Sequence, residues 1–194
     1  MKGWIIGIGI AAFVGVGTYS VIYLAAGGSY IPPEFSEARI KGAELAQSIV
    51  ALSNESLGNL ETIAAYDREG KKSEALILIS KEVLKNRDAQ QEAIKLSSQL
   101  ERMARSIGDI EPSRARVVAA EAVSSEVALV SRLIAYNDYL LRLFEALRDK
   151  FQNPGAYTNG RVEELVAKIN EEAQAINAFN DRFSQSLAEF DTLF

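Results

Sequence analysis

The chain has 194 residues, 26 acidic against 21 basic and a net charge of −5, with no basic run, so it is poorly suited to nucleic acid, which is held by clustered Lys and Arg. It contains no cysteine and no histidine, which excludes disulfides, thiol nucleophiles, Ser-His-Asp triads and every zinc site built on those residues. Any acid–base work would fall to carboxylates alone, and neither an Asp-rich calcium loop nor a Gly-rich phosphate loop is present; the expectation is a non-enzymatic protein with no cofactor and no metal.

The stretch Trp4–Ala26 holds 23 residues without a charge. At the helical rise per residue, that length crosses a hydrocarbon core of roughly 30 Å. Trp4 at one end and Tyr23 and Tyr30 towards the other suit the headgroup level. Residues 1–28 are therefore expected to be a single transmembrane signal-anchor helix, with the membrane as partner through residues 4–26. The competing reading is a cleaved signal peptide, with Ala25 and Gly27 as the small residues of its cleavage site. Lys2 and the α-amine precede the run, which places the bulk of the chain outside the cytoplasm. Gly3, Gly7, Ala11 and Gly15 recur every fourth residue, a strip of small side chains suited to helix–helix packing in lipid.

Residues 29–33 form a short linker in which Pro32 and Pro33 set up the next helix, Pro33 suiting the first turn. Over 34–68, Phe35, Ala38, Gly42, Leu45, Ile49, Leu52, Ser56, Leu60 and Ile63 draw one apolar stripe at gaps of three and four. Gly70 reads as its C-cap and Ser73 as the next N-cap. A second helix is expected over 73–107, apolar at Leu76–Ile79, Val83, Leu84, Ile94, Leu100 and Ile107, stopping at Gly108. A third spans 113–152, with Val123, Val127, Val130, Ile134, Leu141, Phe144 and Phe151 on its seam and Leu133, Leu140 and Leu147 widening it. The fourth, 161–193, carries an unbroken heptad seam through Val162, Val166, Ile169, Ala173, Ile176, Asn180, Phe183, Leu187, Phe190 and Phe194, continuing to the last residue.

Four long helices with short connections should be antiparallel neighbours. The expected fold is all-α: one N-terminal transmembrane helix, then an up-down-up-down four-helix bundle over 34–194. The outline resembles anchored bacterial helical bundles, chemoreceptor sensor domains among them, but shows one apolar run where a transmitting receptor needs two.

With the turns as register marks, polar residues collect half-way up the bundle. Ser53, Ser56, Asn86, Gln90, Asn137 and Asn180 fall on or beside the inward seam, with Arg132 level with them. Such a layer either faces water on rotated helices, fixes register because a misaligned amide is left unpaired, or lines a pocket for a small polar molecule. The functional expectation is a membrane-anchored envelope scaffold, spacer or complex subunit, acting on a protein partner or as a homo-oligomer. The alternative is an extracytoplasmic ligand-sensing module that uses the polar layer.

Overall fold

A computed structural model describes residues 29–153 and 160–194, and these are helical, with four long α-helices and no strand. The apolar run at 4–26, its strip Gly3, Gly7, Ala11 and Gly15, and the cleavage positions lie outside the described residues. Among the described residues no helix is long and apolar enough to cross a membrane.

Helix α1 spans Pro33–Glu69, with Pro32 as N-cap and Pro33 in the first turn, where a missing N–H leaves nothing unpaired. It ends at Gly70, whose φ of 73° is the left-handed conformation that glycine adopts without strain. The Lys71 N–H donates to the Tyr66 carbonyl at 2.9 Å and the Gly70 N–H to Asp67 at 3.3 Å, which closes the last turn tightly. Helix α2, Lys72–Ser106, therefore starts almost at once, and Ser73 lies inside its first turn rather than capping it. At its other end the α-helix stops at Ser106, within a residue of the expected end, and the chain tightens into a 3-10 turn over Ile107–Asp109, where the Ile110 N–H donates to the Ile107 carbonyl at 3.1 Å. The Glu111–Pro112 peptide is cis. Helix α3 spans Ser113–Gln152 and α4 Gly160–Asp191.

Cross-helix contacts give the directions. Arg102, late in α2, pairs with Glu37, early in α1, and Arg114, early in α3, pairs with Glu189, late in α4. Lys150 reaches Asp67 at 2.6 Å, so the ends of α1 and α3 lie together and these two helices run parallel. Successive helices are antiparallel. Helix α1 meets α4 at the linker end, where Phe35 and Phe190 lie 5.5 Å apart.

One core runs through all four helices, with Phe35, Ile49, Ile79, Leu140, Phe144 and Phe190 among its members. Each such side chain contributes about 1.5–3 kcal/mol by leaving water. On α1 and α4 the buried seams follow the apolar stripes. On α2 they do not: the inward positions are Ala75, Ile79, Glu82, Asn86, Ala89, Ala93, Leu96, Leu100 and Met103, a strict alternation of four and three. The bulky Ile77, Leu84 and Ile94 face out, each about 60% exposed. On α3, Val127 and Ile134 likewise face solvent, while Ala122, Glu126, Leu129, Leu133 and Tyr136 turn inward.

The linker is tied down. Tyr30 and Glu111 form an isolated antiparallel bridge, each N–H donating to the other's carbonyl at 2.9 Å. Beside it Ile110 is fully buried and Ile31 packs against the core.

Candidate functional site: a mid-bundle polar layer

Ser53 and Ser56 on α1, Asn86 on α2 and Asn137 on α3 are all buried, at 1–3% exposure. The centre of the layer is a residue that the apolar pattern passed over, Glu82, whose exposure is zero. Its carboxylate is fully engaged: the Ser56 hydroxyl donates to Oε2 at 2.6 Å, and Asn59 Nδ2 and Lys85 Nζ donate to Oε1 at 2.7 and 2.9 Å. Lys85 also pairs with Glu55 at 2.7 Å. Burial acts to lower the Lys85 ammonium, but its bonds to Glu55 and Glu82 outweigh that and hold it above its usual value. A buried charge persists only when paired and hydrogen-bonded, and this one is.

Asn86 and Asn137 join α2 to α3 through an Nδ2–H donated to Oδ1 at 3.3 Å, and Asn137 Nδ2 donates to the Leu133 carbonyl at 3.0 Å. Two polar atoms at this height, Ser53 Oγ and Asn86 Oδ1, have no hydrogen-bond partner among the described residues. Tyr136, beside Asn137 in the chain, is fully buried, and burial pushes its phenol up.

The other expected members stand apart. Arg132 is exposed on the α4 side of α3 and reaches Glu172 at 3.4 Å, so it anchors no interior pocket. Gln90 is half-buried, one turn beyond Asn86. Asn180 is half-buried and lies two turns past Glu172 towards the linker end, away from the height of Asn137. The layer thus belongs to α1, α2 and α3, with α4 contributing none of its bonded core.

A second buried carboxyl was also missed. Glu126 is 4% exposed, its Oε2 has no hydrogen-bond partner, and burial pushes it up to about 7. The signal for both was positional: Glu82 and Glu126 sit at seam intervals of three and four from apolar neighbours, where a glutamate is out of place.

Chemically the layer is closed. Every oxygen of Glu82 is occupied by a donor, which leaves no basic lone pair aimed at open space. Among the described residues no three metal-binding side chains of the Asp, Glu, His or Cys types cluster. Near the far end, an apolar crevice between α1, α3 and α4, lined by Leu60, Ile63, Leu143, Leu147, Val162 and Val166, encloses about 20 Å³. Asp67 and Lys150 close its rim. Comparison with protein families, with curated proteins and with solved structures finds no match to this chain.

Proposed function

We propose that the chain is a non-enzymatic, membrane-anchored helical-bundle protein that acts through protein–protein contact as an envelope scaffold, spacer or complex subunit. Anchoring rests on the uncharged run Trp4–Ala26, and the bundle stands on the outer side of the membrane. The observation that carries the reading is the outer face of α3. Val117, Ala120, Ser124, Val127, Ser131 and Ile134 are all exposed, follow one another at gaps of three and four, and form an uncharged stripe flanked on one side by the exposed Glu121 and Arg132. A solvent face is ordinarily charged, whereas this spacing of uncharged residues is that of a helix–helix seam.

The occupant proposed for that seam is the α3 of a second copy. Copies anchored in one bilayer share one orientation, so their α3 helices stand parallel and each seam residue meets its own equivalent. The small side chains Ala120, Ser124 and Ser131 allow the close approach that places Val117, Val127 and Ile134 in contact. The strip Gly3, Gly7, Ala11 and Gly15 would continue the same association inside the lipid.

Because the chain has no cysteine, a single introduced one reports cleanly. Val127→Cys in native membranes should give a crosslinked dimer with a short bis-maleimide, and Lys41→Cys, exposed on α1, should not. A heavier adduct with a different protein would replace the second copy by another partner. No adduct at Val127, Val117 or Ile134 would remove the seam reading.

A ligand-sensing role has one observation in its favour, the unpartnered Ser53 Oγ and Asn86 Oδ1. It requires a small polar molecule that raises the melting temperature of the full chain and loses that effect in Asn86→Leu.

A further inference from the structure

Glu126 lies on the inner face of α3, and the cross-helix bonds serve as register marks for its surroundings. The charged residues near its height are Arg39, Lys41 and Glu44 on α1, Glu92, Lys95, Glu101 and Arg102 on α2, and Asp181 and Arg182 on α4, with Glu121 and Arg132 on α3 itself. Arg39 is held by Asp191, Arg102 pairs with Glu37 and Glu101 with Arg105. Lys41, Glu44 and Asp181 point to solvent. Lys95 pairs with Glu92 at 2.7 Å, Arg182 lies 5.5 Å above the Phe179 ring, and Arg132 reaches Glu172. None of them acts on Glu126: its raised protonation range has burial as its only cause.

Val123, Leu129 and Val130, three or four positions from it on α3, belong to the main core, but the packing towards the last turns of α4 is separate from that core. One turn away on α3, Ala122 joins Phe183 and Leu187 of α4 in a small cluster separate from the main core. Further along α4, Phe190 rejoins the main core, and Asp191 holds Arg39 of α1 through two bonds of 2.7 Å. The C-terminal turns of α4 are therefore held by a satellite cluster and a terminal clasp, with an unpaired carboxyl next to the satellite.

We propose that Glu126 is a pH-responsive release for the C-terminal turns of α4. With its carboxyl neutral the bundle is closed. When the proton leaves to solvent, the carboxylate has no cation and an oxygen with no donor, so it is stabilised only by water. Water enters at the separate satellite cluster, between Ala122 and the Phe183–Leu187 turn. The turns from Phe183 to Asp191 then loosen from α3, and with them the hold of Asp191 on Arg39 at the linker end.

Hydrogen exchange on the full chain in detergent tests this at pH 6 and pH 8, with protection factors corrected for the intrinsic rate. Peptides covering 179–191 should lose about tenfold in protection between the two pH values through a local opening, while the amides of 86–100 that exchange by local fluctuation rather than global unfolding keep theirs. Glu126→Gln and Glu126→Leu should each remove that dependence. A loss spread equally over all helices, no loss at 179–191, or the same loss in both variants would overturn the proposal. Carbon-13 titration of the Glu126 carboxyl in the unmodified chain gives an independent reading: a midpoint between 6 and 8 supports it, and one near 4.5 overturns it.

Discussion

Arg39 and Asp191 are 152 positions apart in the chain, yet their side chains meet fork to fork, Nη1 on Oδ1 and Nη2 on Oδ2, both at 2.7 Å. The guanidinium is 9% exposed and also stands 5.9 Å from the centroid of the Phe190 ring. This contact fastens the first turns of α1 to the last turn of α4, and bidentate geometry makes it stronger than an ordinary surface pair. Arg39→Met should lower stability by about 2 kcal/mol. In a double-mutant cycle with Asp191→Asn, the coupling should be about 1 kcal/mol in urea unfolding of the full chain in detergent, reduced because the aspartate is one-third exposed. Zero coupling would mean that the two residues are neighbours without being partners.

Glu82 should be the most sensitive polar position in the bundle. Truncation to Ala leaves Ser56 and Asn59 without an acceptor and Lys85 held by Glu55 alone, at a cost of about 1–3 kcal/mol. Replacing Glu82, Asn59 and Ser56 together by Met, Leu and Ala removes the carboxylate and its two uncharged donors at once, leaves Lys85 on Glu55, and should restore most of that loss. If the triple variant is as unstable as Glu82→Ala, the layer is not acting as a paired unit. Melting curves on the three proteins decide it.

Glu126 gives stability a pH dependence of definite sign. Its folded-state value of about 7 lies above the usual 4.5, so the benefit of a neutral carboxyl is complete below about 4.5 and is lost as pH rises through about 7. Across that window the loss amounts to roughly 3 kcal/mol. Glu126→Gln should therefore stabilise the protein at pH 8 and change little at pH 4.5. Urea titrations at both values measure the difference, and an equal effect at the two would contradict the assignment.

The strip in the apolar run makes a separate prediction. If copies associate through the lipid, Gly7→Leu or Ala11→Leu should abolish the crosslinked dimer of the membrane form, because a branched side chain holds the two backbones apart. Unchanged crosslinking in both variants would leave α3 as the sole proposed contact.

Helix α4 was legible in the sequence because large apolar residues occupy nearly every inward position, from Val162 through Phe190. Helix α2 was legible as a helix, but its inward face was not. That face mixes Ile79, Leu96, Leu100 and Met103 with Ala75, Ala89, Ala93, Glu82 and Asn86, while Ile77, Leu84 and Ile94 carry hydrophobic weight to the outside. Periodicity weighted by bulk finds the wrong face of such a helix. The layer was half legible for the same reason: amides and hydroxyls at mid-height mark themselves out by register, as Ser53, Ser56, Asn86 and Asn137 did. A glutamate on an amphipathic helix reads as solvated until its donors on the neighbouring helix are known, which is why Glu82 escaped notice. Arg132 is level with the layer by register, but it is half exposed and pairs with Glu172 on the α4 side of α3.

The bridge between Tyr30 and Glu111 has a mechanical consequence. Tension applied from residue 29 meets the two backbone bonds to the α2–α3 turn before it reaches the first turn of α1. Load is thereby shared between two places in the bundle, and α1 is shielded from being peeled off its neighbours from its own end. A single-molecule pull from the N-terminal side would have to shear that bridge first.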